Sequence, residues 1–199
     1  MVNPFAPYIL TFIQIFVAVD AIGNIPVFVS LVEGTTKKQR GKIIAESITT
    51  ATAVSILFML GGKWVLRFIG VTIPDFQIAG GVLLFVISLR LLLPGSTRSF
   101  LSDGHGKGVG VFPLGTPLIT GPAVLTTTVI MLDTFGIGPT FVSLVINMVI
   151  VWASLVKADA IMRVMGVSGT RAFSKIMYIL LAAIGVMMVR RGITGILMP

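Results

Sequence analysis

The sequence predicts an all-α integral membrane protein, with six transmembrane helices arranged as two inverted three-helix repeats. The first and fourth helices are predicted to be interrupted. Three observations carry this reading. The chain of 199 residues is 55% hydrophobic and only 11% charged, where a soluble domain carries about 25% charged residues, and its mean hydropathy is +1.04. Its apolar residues come in long runs of the length a bilayer core about 30 Å thick demands. Its basic residues sit in short clusters between those runs, as membrane topology requires.

The runs fall at roughly 5–32, 43–62, 73–93, 109–132, 138–156 and 173–197. The fifth has no charged residue, the first carries only Asp20 and the second only Glu46. The first run is too long for a cleavable signal peptide and lacks a positive leading region, so it reads as a retained span. Between the third and fourth runs lies 94-PGSTRSFLSDGHGKGVG-110. Its Gly, Ser and Pro content marks a linker, dividing a first repeat, 1–93, from a second, 110–199, with 94–109 between them in a single membrane domain.

Charge orients the spans. The loops after spans one, three and five hold eleven Lys and Arg residues: Lys37, Lys38, Arg40, Lys42, Arg90, Arg98, Lys107, Lys157, Arg163, Arg171 and Lys175. The opposite side holds four: Lys63, Arg67, Arg190 and Arg191. The first set is expected in the cytoplasm, which leaves both termini outside. The net charge of +8 is thereby absorbed by topology. No basic stripe interleaved with aromatics points to nucleic acid.

Several chemistries are excluded or weak. There are no cysteines, so disulfides, thiolate metal sites and thiol redox are out. The sole histidine, His105, lies in the glycine-rich linker and reads as a solvated loop residue. An intramembrane enzyme needs a nucleophile–base pair or a metal cluster, and the spans have neither His nor Cys and few acids. No enzyme activity, metal or cofactor is expected.

Two spans contain helix breakers at matching places: 19-VDAIGNIPVFVS-30 and 115-GTPLITGPAVLTT-127. Pro26 and Pro122 lack a backbone donor and disfavour helix just before them, and Gly23 and Gly121 loosen the same turns. A shift of 96 residues lays Asp20 on Thr116, Asn24 on Thr120, Pro26 on Pro122 and Ser30 on Thr126. Three spans per half is an odd number, so the halves run in opposite directions. Paired broken helices in inverted repeats point to a midplane site, because irregular backbone at membrane depth survives only where protein or water satisfies it. A half-helix starting at Pro26 or Pro122 is expected to aim free N–H groups and a positive dipole end inward, which suits a carboxylate. Two such ends suit a small zwitterion. The expected substrate-binding set is Asp20, Gly23, Asn24, Pro26, Thr116, Thr120, Gly121, Pro122 and Thr126.

Blander readings stand beside this one. Proline kinks and small residues often serve packing alone. Asp20, costly inside a membrane, binds substrate, relays a proton or caps a half-helix. Glu46 either snorkels or pairs with a loop lysine. Gly80 and Gly81 permit close helix approach. Arg90, Arg190 and Arg191 sit near span ends, where arginine snorkels, and the Met-rich sixth span is core or lipid-facing.

The motifs 19-VDAIGNIP-26, 29-VSLVEGTTKKQR-40, 76-FQIAGGVLLFVISL-89 and 113-PLGTPLITGPAVLTT-127 together resemble the MarC family, six-span membrane proteins related to amino-acid exporters. The likeness runs along essentially the whole chain. Where the family usually has proline after the first aspartate, this chain has Ala21, and Ala123 stands where glycine is frequent. The resemblance implies a six-span inner-membrane secondary transporter of small neutral amino acids such as glycine and alanine, working by alternating access and coupled to a proton or sodium gradient. The rival readings on the same scaffold are an ion channel, an exporter of other small solutes and a lipid-interacting structural protein.

Overall fold

Where each helix starts and stops follows from a few local signals. Thr36 and Gln39 form a reciprocal cap: the Gln39 N–H donates to Thr36 Oγ1 (3.3 Å) and the Thr36 N–H to Gln39 Oε1 (2.8 Å). They open a helix of 32 residues, Lys37–Phe68. Thr72 and Asp75 repeat the device at Ile73–Leu92. Such boxes satisfy two of the four orphan donors of a first turn. Pro122 opens another helix from the position where its missing N–H costs nothing.

The computed structural model describes residues 5–32, 34–93 and 110–197. The expected linker 94–109, with His105, lies outside them. The described residues form helices throughout, with no strand: α1 (Ala6–Val19), α2 (Asn24–Leu31), α3 (Lys37–Phe68), α4 (Ile73–Leu92), α5 (Gly110–Ile119), α6 (Pro122–Phe135), α7 (Ile137–Val156) and α8 (Ala158–Leu197).

Three helices and part of a fourth are long and apolar enough to cross a membrane: α3, α4, α7 and the Tyr178–Leu197 part of α8. A fifth span forms if α5 and α6, bent by 53°, are taken together. α1 is apolar, but its 14 residues fall short of the roughly 20 a span needs by itself.

Helix ends depart most from the hydropathy boundaries at three places: the start of α3, its end at Phe68 rather than 62, and the start of α8. α3 starts at Lys37 rather than 43, because the Thr36 cap, and not apolar content, fixes its first turn. α8 starts at Ala158 rather than 173, because no proline interrupts 158–172 and a helix runs on past its apolar stretch until something stops it.

Both sequence breaks appear as breaks, of different kinds. At the first, Asp20 takes a left-handed conformation (φ 47°, ψ 60°), and one tight turn leads into α2. The second half-helix begins at Asn24, so Pro26 lies within its first turn rather than at its start. At the second, α5 is a wide irregular coil in which Phe112 and Thr116 are extended. Gly121, also extended, then opens α6 at Pro122.

The packing brings distant parts of the chain together. α4 lies along α8, α3 packs on α5, and α1 packs on α7. α2 touches α8, and α6 touches α4. The α4–α8 approach is backbone to backbone: a Cβ on Gly81 would lie 2.5 Å from the Gly185 carbonyl oxygen, and one on Gly185 would lie 2.6 Å from that of Gly81. A Cβ on Gly80 would strike the Pro122 ring, so α4 also seats the start of α6. In lipid, where apolar side chains gain little by leaving their surroundings, such close approach is what holds helices together.

Polar side chains join the other pairs. Thr120 Oγ1 donates to the Ala51 carbonyl (2.9 Å) and lies 3.0 Å from Ser55 Oγ, tying the second break to α3. Ser143 Oγ and Asn147 Nδ2 donate to the carbonyls of Tyr8 and Phe12 (3.3 Å each), tying α7 to α1. Arg40 pairs with Asp159, and Lys63 pairs with Asp133. Glu46 pairs with Lys42 one turn away at 3.7 Å.

Candidate functional site

Between the two breaks lies a cavity of about 470 Å³. The α1–α2 turn contributes Asp20, Gly23 and Asn24, and the α5–α6 break contributes Pro117, Leu118, Gly121 and Ala123. α4 adds Leu84, and α8 closes the space with Leu180, Leu181, Ile184 and Met187.

The polar end is built by local geometry. Asp20 Oδ1 accepts the Gly23 N–H at 3.1 Å, the bond a capping side chain makes to a first turn. The Asp20 carbonyl accepts the Asn24 N–H at 3.1 Å. Asn24 Nδ2 donates back to the carbonyls of Val19 (2.9 Å) and Asp20 (3.1 Å), so the side chain closes off the Val19 carbonyl, which the break leaves without a helical partner. The carboxylate rests over Gly23, where a Cβ would lie 2.2 Å from Asp20 Oδ2. Among the described residues Oδ2 itself has no hydrogen-bond partner. Asn24 is buried, whereas Asp20 is exposed on the cavity wall.

The opposite break supplies the other sign of charge. α6 opens with no side chain capping it, so its first-turn N–H groups and the positive end of its dipole are left for whatever lies before Gly121. Expected symmetry between the two half-helices therefore fails at the first break. Neither start is capped by a side chain of its N-cap residue, but at the first break the carbonyls of Asp20 and Ile22 already accept the Asn24 and Ile25 N–H groups that open α2, and α6 has no such partners among the described residues.

The predicted site residues divide accordingly. Asp20, Gly23, Asn24 and Gly121 meet at the cavity. Thr116, Thr120, Pro122 and Thr126 do not line it. Thr116 Oγ1 donates to the Val111 carbonyl (3.3 Å), Thr120 turns to α3, Pro122 packs on Gly80, and Thr126 Oγ1 donates to the Pro122 carbonyl (2.8 Å) within its own helix. Each threonine hydroxyl is spent on backbone, as is common for Ser and Thr inside helices. Pro26 stands in the first turn of α2, and its side chain lies outside what is described.

Sequence reasoning missed the α8 wall and Leu84. No local signal marks them, because an apolar residue facing a cavity reads like one facing lipid. Among the described residues no group of three or more His, Asp or Glu is placed to hold a metal ion.

Comparison with known proteins agrees with the motif reading. The family model described as "MarC family integral membrane protein" matches residues 5–197. The chain is 31% identical to the UPF0056 membrane protein MJ1677 of Methanocaldococcus jannaschii, over 96% of this chain and 98% of that one. It is 36% identical to MJ0972 of the same organism, over 95% and 87%. It is 26% identical to the UPF0056 inner membrane protein YhgN of Escherichia coli K12, over 91% and 93%. No solved structure matches. With its apolar helices, its two broken segments and a family match along nearly its whole length, the chain belongs to the MarC family of integral membrane proteins.

Proposed function

We propose that the protein is a secondary transporter of small neutral amino acids, of the glycine and alanine kind, working by alternating access in the cell's inner membrane. One observation carries the reading. Asp20, Asn24 and the uncapped start of α6 at Gly121 share a single cavity. An ammonium group suits Asp20 Oδ2, and a carboxylate suits the free N–H groups of α6. The two charges of a zwitterion are then matched, and no charge is left over for an ionised side chain.

The six-span inverted arrangement belongs to this proposal, with α1 and α2 taken as one bent span. Its support is the reciprocity of packing: the first span of each half (α1, α5) lies against the second span of the other (α7, α3), and the third spans (α4, α8) lie against each other. The same shift of 96 that aligns the breaks carries Lys63 onto Asp159, and these two residues form the ion pairs with Asp133 and Arg40. The halves 1–93 and 110–199, both termini outside, and a coupling proton or sodium ion complete the proposal. A transporter rather than an enzyme accounts for two broken helices better than any catalytic group in the sequence does.

Uptake of labelled glycine or alanine into proteoliposomes tests it. Saturable uptake by wild type, lost at least tenfold in the double variant Asp20→Ala, Asn24→Ala, is the expected result. No uptake by wild type, or undiminished uptake by that variant, overturns it. Conductance that does not saturate with amino acid favours the channel reading.

A further inference from the structure

We infer that Gly80 of α4 is a positioning residue for the substrate's carboxylate, because the start of α6 is seated on its bare backbone. The inference rests on the transport reading above and names the residue that aims the anion-binding end of the site.

α6 opens without a side-chain cap. Its first residue, Pro122, has no N–H to offer. Among the described residues the first N–H of α6 with a partner is that of Leu125, which donates to the Gly121 carbonyl at 3.0 Å. The N–H groups of Ala123 and Val124 come before it and are left for an anion. Gly121 and Ala123 both line the cavity. Where the two donors point is set by where the backbone at Pro122 lies.

That backbone is held against α4. A Cβ on Gly80 would lie 1.8 Å from Pro122 Cγ, 2.7 Å from its Cβ and 2.8 Å from its Cδ, where carbons in contact stand about 3.5–4.0 Å apart. The ring therefore rests directly on the Gly80 backbone. Most side chains crowded in this way turn to another rotamer. A proline ring does not, because its Cδ is bonded to its own backbone nitrogen. Pushing the ring moves the first backbone atoms of α6, and the two free donors move with them. A shift of about 1 Å in groups that hold a ligand costs up to about a hundredfold. Gly81, next in the chain, serves a different contact: a Cβ there would meet the Gly185 carbonyl and Val189 of α8. Two adjacent glycines thus seat two elements that line the cavity, and of the two it is Gly80 that meets the anion-binding one.

Uptake of labelled alanine by Gly80→Ala in proteoliposomes tests this, with KM and the maximal rate read separately. KM is expected to rise at least about tenfold, and the maximal rate per folded protein to change by less than about threefold. A glycine that served packing alone would give the opposite pattern, since loss of folded protein lowers the maximal rate and leaves KM where it was. Gly61→Ala in α3, where nothing lies within 4 Å of a Cβ, is the control and should keep the wild-type KM. Where Gly80→Ala gives no single gel-filtration peak, Pro122→Ala takes its place. It removes the ring carbons that rest on Gly80, and KM is expected to rise by about threefold or more. An unmoved KM in folded Gly80→Ala, or in Pro122→Ala where that variant is used, overturns this inference and leaves the transport reading standing. Equal rises in Gly80→Ala and Gly61→Ala also overturn it. No alanine uptake by the wild type overturns both.

Discussion

Arg40 Nη1 holds both carboxylate oxygens of Asp159, at 2.6 and 2.8 Å, across 119 residues of sequence. It joins the first turn of α3 to the start of α8. At the far end of α3, Lys63 pairs with Asp133 of α6. The 23 positions between Arg40 and Lys63 rise about 35 Å along a helix, close to the thickness of a bilayer core of about 30 Å. The two pairs are thus spaced along α3 by about the depth of a bilayer core.

Arg40→Ala should lower stability by about 1 kcal/mol, discounted because the Asp159 side chain is 46% exposed. In detergent this reads as a fall of about 2–4 °C in Tm. The swapped double variant Arg40→Asp, Asp159→Arg should recover most of it. A swap no better than either single charge reversal would show that the pair contributes nothing.

Gly81→Val should cost about 1–3 kcal/mol, the range for overpacking, since its Cβ meets the Gly185 backbone. Gly61→Ala should do the reverse. Nothing lies within 4 Å of a Cβ there, and alanine in mid-helix gains about 0.5–1 kcal/mol over glycine. Opposite shifts in Tm are the expected outcome, and equal shifts would contradict the α4–α8 contact.

Gly23→Ala tests the seat of the Asp20 carboxylate. The new methyl group occupies the place of Oδ2 and swings the carboxylate away from its bond to the Gly23 N–H. If Oδ2 receives the substrate's ammonium group, KM for alanine should rise about tenfold, the worth of one charge-assisted hydrogen bond. A KM unmoved in a folded variant would remove Asp20 from the site.

Thr120→Val should destabilise by about 1 kcal/mol, and Thr120→Ser by much less. The hydroxyl bonds to Ala51 and Ser55 rather than reaching the cavity, and interhelical hydrogen bonds in membranes average below this value. Tm in detergent measures it, and equal losses in the two variants would implicate the methyl group instead.

Orientation can be read directly because the chain has no cysteine of its own. Single cysteines at Ile69 and Ile137, both exposed, should react with a membrane-impermeant maleimide in intact cells. Cysteines at Lys38 and Lys157 should react only after permeabilisation. The reverse pattern would invert the proposed topology.

Much of this fold is legible in the sequence, for identifiable reasons. The breaks at Gly23 and at Gly121–Pro122 are written in residues whose backbone chemistry is local, and they fall where expected. Helix ends are less legible from hydropathy, which reports contact with lipid. Those of α3 and α4 were nonetheless readable in Thr36-x-x-Gln39 and Thr72-x-x-Asp75. The candidate site is only half legible. Asp20, Asn24 and Gly121 announce themselves as polar or helix-breaking residues at membrane depth. Thr120 does so equally and faces elsewhere, since spacing along a helix fixes a face only once its neighbours are known. Ile184 and Met187 give no sign at all.

α8 runs unbroken for 40 residues, about 60 Å, twice the depth of a bilayer core. From Asp159, pinned to Arg40, to Met187 on the cavity wall is 28 positions, or about 42 Å of stiff rod. A tilt of about 5° at the pinned foot carries Met187 through about 4 Å, enough to widen or narrow the cavity it lines. Under the transport reading, the helix would be a lever, its foot held by an ion pair and its working end beside the cavity.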